Sequence, residues 1–252
     1  MGYTALRDLH LAGVRWEITD VPLVRANIVT QSQVVAPVAD TVGRIATRVV
    51  PPIAPVAPMS VETATAMAVR PMDIDSLNRM VCEFNHPLRS SATNTVGIHV
   101  APNPNGLIVL TDMPSADDDA AGNILSGASG EMMDKMLNAI GMSRDNVSIL
   151  PMLFWRTPGG RTPSSEELEL ARPFVNRAIE LLKPRVILTL GTLPATEVGG
   201  VNLGRGHGVP VVLDNGATIM PIYHPNYLML KPTAKRDVWN ALQNVQNLLK
   251  NA

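Results

Sequence analysis

Several polar side chains stand directly after apolar runs of the kind that form buried strands. Thr111-Asp112, Trp155-Arg156, Gly191-Thr192 and Tyr223-His224 each follow such a run. In a parallel sheet, functional sites form at the carboxyl ends of the strands. His224 is the most specific candidate, because Pro225 restricts the turn that leaves it. A lone histidine is often structural, and that interpretation stays open beside the functional one.

The loop after the first of these strands is rich in carboxylates. Its sequence TDMPSADDD (111–119) contains Asp112, Asp117, Asp118 and Asp119. Clustered carboxylates are ligands for hard cations, so a metal site is one interpretation. The other is a solvated loop that caps the following helix, because Asp and Ser are preferred N-cap residues. No calcium-loop spacing is present, and the second interpretation is favoured.

Two arginine-containing segments are candidates for binding phosphate. WRTPGGRTP (155–163) contains Arg156, Arg161 and a Gly-Gly pair that lets a ligand approach the backbone closely. It is not a P-loop, and a rigid turn that leads into a capped helix is the alternative. GRGHG (204–208) follows no strand–helix unit with dinucleotide-binding spacing, but Arg205 remains a candidate phosphate contact.

The elements that must position these residues alternate between strands and helices. Apolar runs at 106–110, 146–154, 185–191 and on both sides of Asn215-Gly216 predict strands. Amphipathic stretches predict helices after Asp73, from about 129 to 140, after Thr162 and over 233–249. This order predicts an α/β fold with a mostly parallel central sheet flanked by helices.

Composition divides the chain into three parts. Residues 1–21 predict a short amphipathic helix, and residues 22–72 are rich in Pro, Ala and Val, which predicts an extended linker. We expect residues 73–252 to form one domain, because that length is sufficient for its own core. The valines of the linker favour docking of part of it on the domain.

The totals exclude several classes of protein. No run approaches about 18 apolar residues, and no leader pattern is seen at the N-terminus, so we expect a cytoplasmic protein without membrane contact, and a monomer. The single cysteine, Cys82, excludes an internal disulfide and an all-cysteine metal site. The net charge of −1 conceals an asymmetry: residues 1–150 have 10 Lys and Arg against 15 Asp and Glu, whereas 151–252 have 11 against 7. The basic C-terminal part suits a polyanion, although ordinary surface scatter explains it equally well.

Taken in order, these segments resemble the uracil-DNA glycosylase superfamily, and most closely its family 4. The resemblance covers roughly residues 80–250. WRTPGGRTP is similar to that family's Arg-Pro-Pro-Gly-Asn-Arg-Thr-Pro stretch, and YHPNYLM (223–229) to its His-Pro-Ser/Ala-Tyr-Leu-Leu motif. The N-terminal helix and Pro-rich linker look like those of alphaproteobacterial members.

The resemblance implies a function and a set of roles. The enzyme would hydrolyse the N-glycosidic bond of a flipped-out uracil in DNA, as part of base-excision repair. His224 would donate a hydrogen bond to O2 of the leaving base, and Asp112 would position water or stabilise the cationic sugar. Leu228 and Met229 would form the wedge that enters the base stack. The expected phosphate contacts are Arg156, Arg161, Arg205 and Lys235.

This sequence departs from the family at the residues that would bind the base. Thr111-Asp112-Met113-Pro114-Ser115 replaces the family's Gly-Glu-Ala/Gly-Pro-Gly motif, so Pro114 and Ser115 are expected in the substrate pocket. Pro151 stands where the family has its uracil-reading asparagine, and Leu125 where it has a stacking phenylalanine. Met113 and the missing glycines would crowd the pocket.

The family's iron–sulfur cluster, held by four cysteines, is expected to be absent, and we expect no cofactor or metal. Only Cys82 lies near the first ligand pair, with His86 close by, while Trp155 and Ala171 occupy the later two positions. One thiolate does not hold such a cluster.

Three functional hypotheses follow. The first is a glycosylase that removes uracil or a related damaged base. The second is a catalytically impaired or inactive DNA-binding relative, which the replacements at Met113, Leu125 and Pro151 favour. The third and weakest is a partner-recruiting protein that uses the Pro-rich linker.

Overall fold

The structure, a computed structural model, describes residues 60–250 of the chain. The predicted N-terminal helix (1–21) and most of the predicted linker (22–72) lie outside the described residues. The described helices are α1 (Val61–Ala68), α2 (Ile74–Glu83), α3 (Ala116–Ala121), α4 (Gly127–Ala139), α5 (Ser165–Leu182), α6 (Thr192–Gly199), α7 (Leu203–Gly206), α8 (Pro225–Leu230) and α9 (Lys235–Lys250). The described strands are β1 (Leu107–Thr111), β2 (Ser148–Pro151), β3 (Val186–Leu190), β4 (Val211–Val212) and β5 (Thr218–Ile222).

The five strands form one sheet in the order β2-β1-β3-β5-β4. β2, β1, β3 and β5 run parallel to one another, and β4 pairs antiparallel with β5. Every residue of β1, β2 and β3 is buried, which explains why these strands are almost continuously apolar. The predicted α/β fold class is confirmed.

The hydrophobic core lies on both faces of this sheet. Ile108 and Leu110 of β1 pack in the cluster that includes α1, α2 and α5. Leu107 and Val109 pack in the other cluster, which includes α4 and α9. Successive side chains of a strand point to opposite faces, so one short apolar run contributes to both clusters. Among the helices within residues 60–250, none is both long and apolar enough to cross a bilayer.

The last part of the predicted linker is helical. Helix α1 begins after Ser60, whose side chain accepts a hydrogen bond from the Thr63 amide at 3.2 Å. Ala64 and Ala68 of this helix are buried in the core cluster that includes α5. The boundary at residue 72 is therefore wrong for residues 61–68, because small side chains allow this segment to pack closely on the domain.

The carboxylates of the loop after β1 cap and fasten the chain. Asp118 accepts hydrogen bonds from the amides of Ser115 (2.9 Å) and Ser126 (2.5 Å). Asp119 accepts from the amides of Thr93 and Asn94, each at 2.9 Å. Both side chains are buried, and Ser115 caps α3 in return. The capping part of that interpretation is confirmed, whereas the expected solvation is wrong for Asp118 and Asp119, because both accept hydrogen bonds from backbone amides in the interior. Within residues 60–250 no three His, Cys, Asp or Glu side chains converge to hold a metal ion.

Candidate active site at the carboxyl edge of the sheet

Asp112 and His224 come together although they are distant in sequence. Asp112 follows β1, and its carbonyl accepts hydrogen bonds from the amides of Met152 (2.8 Å) and Leu153 (3.1 Å) just beyond β2. His224 follows β5 by two residues and is the N-cap of α8. Asp112 Oδ1 lies 3.8 Å from His224 Nε2. The sequence-based prediction placed both residues at this edge.

The hydroxyl group of Thr111, which the sequence analysis placed at the strand end without a role of its own, lies between them. Thr111 Oγ1 is 3.3 Å from His224 Nε2 and 3.4 Å from Asp112 Oδ1. Thr111 is 1% exposed, so its hydroxyl group needs partners within the protein. Its position at the end of a predicted strand was the one signal that could have indicated a role in the site. Threonine is so common in strands that the residue type itself did not indicate such a role.

The local hydrogen bonds define which ring nitrogen of His224 carries the proton. Nδ1 accepts a hydrogen bond from the Asn226 amide at 3.2 Å. In the neutral ring, Nε2 therefore carries the hydrogen and donates toward Thr111 Oγ1. The Thr111 hydroxyl in turn donates to Asp112, so the three side chains form a directed chain of hydrogen bonds.

Burial keeps His224 neutral at pH 7. Desolvation lowers the pKa of this histidine below its ordinary value, and the negative charges of Asp112 and Asp118 oppose that effect without reversing it. The contact with Asp112 is consequently a neutral–anionic contact at pH 7, not an ion pair. A neutral imidazole with Nε2–H exposed to a pocket is a hydrogen-bond donor for an anion that forms during a reaction.

A pocket of about 210 Å³ opens beside this triplet of side chains. Of the predicted substrate-binding residues, Pro114, Ser115 and Leu125 line it, whereas Pro151 does not. Pro151 is the buried last residue of β2, paired in register with Thr111. Its predicted role in the pocket is not supported by its position, because Pro151 lies within the sheet and does not line the cavity.

Leu125 forms part of the pocket wall in an unusual backbone conformation. Its φ of 52° lies in the left-handed region, which is uncommon for a leucine. Arg144 stabilises this turn by donating to the carbonyls of Ile124 (3.1 Å) and Leu125 (2.6 Å). The absence of a side chain at Gly130 leaves room for the Leu125 carbonyl, since a Cβ at residue 130 would be 1.8 Å from the Leu125 oxygen. The wall is therefore held rigidly.

A larger groove of about 910 Å³ lies on the other side of the same triplet. Asp112, Met113 and His224 line both cavities. Tyr223 and Tyr227 form part of the groove wall, with ring centroids 4.8 Å apart. The pocket and the groove thus share one wall that contains the two candidate catalytic side chains.

The four predicted phosphate-binding cations have different environments. Arg156 is half-buried and lines the smaller pocket, and Arg205 is exposed at the end of α7. Arg161 donates two hydrogen bonds to the carboxylate of Glu167, which occupy its guanidinium fork and hold the pKa of Glu167 below its usual value. Lys235 begins α9 and lines a separate groove. The structure does not bring all four together.

The exposed apolar residues of α8 lie one position later in the sequence than the predicted wedge. Leu228 is 1% exposed and packs in the core cluster, so the prediction that it projects from the surface is wrong. Met229 is 39% exposed and Leu230 is 85% exposed. The packing of α8 decides this, because one side of the helix must face the core and Leu228 lies on that side. The exposed apolar pair is Met229 and Leu230.

The residues expected at or near the family's cluster-ligand positions make other contacts. Trp155 is fully buried and stacks on His86, with ring centroids 4.4 Å apart and an interplanar angle of 7°. His86 Nε2 contacts the Glu167 carbonyl at 3.0 Å, and Nδ1 accepts from the Leu88 amide at 3.2 Å. Cys82 is exposed and Ala171 is buried. Both nitrogens of His86 are already used, so these residues do not fit an iron–sulfur cluster.

We expect the stability of the fold to fall on mild acidification. Burial lowers the pKa of His86 below its ordinary value, so the unfolded chain binds a proton near pH 6 that the folded protein resists. The free energy of unfolding should therefore decrease as the pH falls below about 6.5, by at most about 1.4 kcal/mol per pH unit for each such histidine. Burial also lowers the pKa of His207 and His224, so they add to this decrease.

Urea denaturation between pH 8 and pH 5 measures this effect. The stability should be nearly constant from pH 8 to pH 7 and should decline below that. His86→Phe should reduce the decline, since it removes one of the buried neutral rings. A stability that rises on acidification to pH 5.5 would contradict the assignment of neutral histidines.

Comparison with known sequences is consistent with this arrangement. A profile of the Uracil DNA glycosylase superfamily matches residues 99–243. A type-4 uracil-DNA glycosylase from Pyrobaculum aerophilum is 30% identical over 145 residues, which are 52% of this chain and 71% of that protein. The one from Thermotoga maritima is 29% identical over 146 residues, 57% of this chain and 76% of its own. The one from Archaeoglobus fulgidus is 25% identical over 151 residues, which are 56% of this chain and 76% of that protein.

The matched region contains the whole parallel sheet, Asp112 and His224. The profile match spans more than half of this chain. The pairwise matches cover more than two thirds of each of these three relatives. The resemblance that the motifs indicated is confirmed, and the chain belongs to the uracil-DNA glycosylase superfamily.

Proposed function

We propose that this protein hydrolyses the N-glycosidic bond of uracil, or of a related damaged base, in DNA. The observation that carries the proposal is the wall shared by the pocket and the groove. There a neutral His224 with Nε2–H and the carboxylate of Asp112 lie 3.8 Å apart. Membership of the superfamily and the type-4 uracil-DNA glycosylases among its relatives support the same activity.

The proposed reaction breaks the bond between C1′ of the sugar and N1 of the base. The electron pair of that bond passes to the base, and His224 Nε2–H donates a hydrogen bond to O2 as negative charge develops. Water adds to C1′, its proton passes to the Asp112 carboxylate and then to solvent, and the base anion takes a proton from solvent. Asp112 also faces the positive charge that develops on the sugar.

Thr111 has a positioning role in this proposal. Its hydroxyl holds the Asp112 carboxylate and receives the Nε2–H of His224 before substrate arrives. An incoming O2 atom would compete with this hydroxyl for the same hydrogen. The Thr111 side chain therefore holds Asp112 and His224 in fixed positions relative to each other. A site that is held rigidly reorganises less during the reaction.

We also propose that base selection is looser than a pocket with a buried asparagine would give. Asn226 lines the smaller pocket together with Pro114, Leu125 and Arg156, but it is exposed, and Pro151 lies outside the pocket. A buried amide penalises a base whose donors and acceptors do not match, whereas water can satisfy an exposed amide. Uracil and other deaminated bases should consequently compete for one pocket.

A catalytically impaired DNA-binding protein is the second candidate. Two observations favour it. The Nε2–H of His224 already has an acceptor in Thr111, and Met113 lines both cavities at the wall that contains the catalytic candidates. In this alternative, the exposed Met229 and Leu230 and the cations Arg156 and Arg205 would still contact DNA. The monomeric state stays a prediction under either candidate.

Cleavage of a labelled single-stranded oligonucleotide with one uracil separates the two candidates. Alkali converts the abasic product into a strand break that a denaturing gel resolves. Substrates with hypoxanthine or xanthine in place of uracil test the looser selection of bases. Cleavage of at least one of them supports the enzyme, whereas binding without cleavage of any of them supports the impaired form.

We propose further that the protein contains no iron–sulfur cluster. Cys82 is the single cysteine of the chain, and Trp155 and His86 pack where ligands would be needed. The purified protein should be colourless, without an absorption shoulder near roughly 400 nm. Iron analysis of protein purified without oxygen provides the check, and stoichiometric iron with that shoulder would overturn the proposal.

A further inference from the structure

A second, smaller groove lies between α4 and α9, apart from the two cavities of the candidate active site. Its volume is about 150 Å³. Its apolar lining consists of Met132, Met136, Ala139, Leu228, Val238, Trp239 and Leu242. Trp239 is 41% exposed, so part of its indole ring is available to a ligand. The described rings contain no stacking partner for it.

Two lysines complete the lining of this groove. Lys135 comes from α4 and Lys235 from α9, so each helix contributes one cation. Both are exposed, and within residues 60–250 neither forms an ion pair. The acids beside them in sequence, Asp134 and Asp237, lie against Arg144 and Arg236. An apolar groove with one lysine on each wall therefore remains open to solvent.

We infer that this groove binds one nucleotide of an unpaired nucleic-acid strand. The base would stack on Trp239, and the phosphates on its two sides would contact Lys135 and Lys235. A nucleotide within a strand is a planar ring with an anionic linkage on each side, which matches this arrangement of indole and ammonium groups. Stacking on an aromatic side chain accepts any base, because every base has a π face.

The groove is connected to the candidate active site through α8. This helix begins immediately after His224, exposes Met229 and Leu230, and contributes Leu228 to the lining of the groove. Lys231 and Pro232–Ala234 then lead directly to Lys235. A strand that leaves the pocket past Met229 and Leu230 would follow this continuous segment toward Trp239. The bases of an intact duplex face inward and offer no free ring there, so the inference is specific for unpaired strands.

Tryptophan fluorescence tests this inference with a short oligothymidylate as the probe. The probe contains no uracil, so the result does not depend on whether the protein is a glycosylase. Trp16 is replaced by Phe in every protein of this test, so that Trp155 and Trp239 are the emitting residues. The oligomer should quench the emission of this background, and the quenching should be lost when Trp239→Phe is added, because Trp155 is fully buried. A duplex of the same length should quench much less. Trp239→Ala should weaken binding of the oligomer roughly 10-fold, whereas Trp239→Phe should retain most of the affinity.

The lysines are tested by the salt dependence of the same binding. Lys135→Gln with Lys235→Gln should lower the slope of log K against log salt concentration by about 1.4, the value for two phosphate contacts on a single strand. Lys250→Gln is the matched control, since it lies on α9 about 22 Å from Lys235 at 1.5 Å per residue. It should leave the slope within error.

Three results would overturn the inference. One is equal quenching by the oligomer and by the duplex. Another is unchanged affinity of Trp239→Ala in a variant with the wild-type melting temperature. The third is self-association of the wild type that Trp239→Ala abolishes without an effect on the oligomer, which would assign this face to contact between protein copies.

Discussion

His224→Ala should reduce the rate of uracil release about 10²–10³-fold, which is the usual effect of removing one donor to a developing anion. The donor that this substitution removes is Nε2–H, since Nδ1 accepts a hydrogen bond from the Asn226 amide and burial keeps the ring neutral. The affinity for uracil-free DNA should change little, because the lost hydrogen bond forms only as the base leaves. Single-turnover cleavage and oligonucleotide binding, measured on the same preparations, separate the two effects.

Asp112→Asn should slow the same step, because the amide neither accepts the proton of water nor opposes the charge on the sugar. Asp214→Asn is its matched control: Asp214 is an exposed carboxylate in the turn before β5, at the opposite end of that strand from His224. The control should cleave at the wild-type rate.

The contradicting result for His224 is a cleavage rate of His224→Ala equal to that of the wild type. That result would remove His224 from the mechanism.

Trp155→Ala should lower the free energy of unfolding by about 3–5 kcal/mol, the range for deleting a large buried aromatic side chain. Its indole is fully buried, stacks on His86, meets Phe154 edge-on with centroids 5.8 Å apart, and donates to Thr95 Oγ1 at 3.0 Å. Truncation creates a cavity and leaves the Thr95 hydroxyl without this donor. Urea denaturation at pH 7 measures the loss.

Trp239→Ala provides the matched control for this measurement. Trp239 is 41% exposed, so its truncation creates no internal cavity and should cost less than about 1 kcal/mol. Trp155→Phe should fall between the two, since it keeps an aromatic ring on His86 but loses the hydrogen bond. Equal losses for the two alanine variants would show that the Trp155 cluster is not a principal part of the core.

Local patterns in the sequence were sufficient for the sheet and for the edge that contains the candidate site. The apolar runs that became β1, β3 and β5 are short and continuous because both faces of the sheet are covered. Asp73 marked the beginning of α2, and the helix predicted after Thr162 begins at Ser165 with Ser164 as its N-cap. Asp112 and His224 were predicted together because the carboxyl ends of parallel strands share an edge.

The tertiary structure alone decided which predicted residues reach the site. Leu228 is buried while Leu230 is exposed, because the packing of α8 sets the rotation of a helix too short to show a periodic pattern. Arg161 is engaged by Glu167, and His86 meets the Glu167 carbonyl 81 residues away. Thr111 contacts His224 across 113 residues. Such contacts depend on how distant segments pack, and no local pattern of residue types encodes that packing.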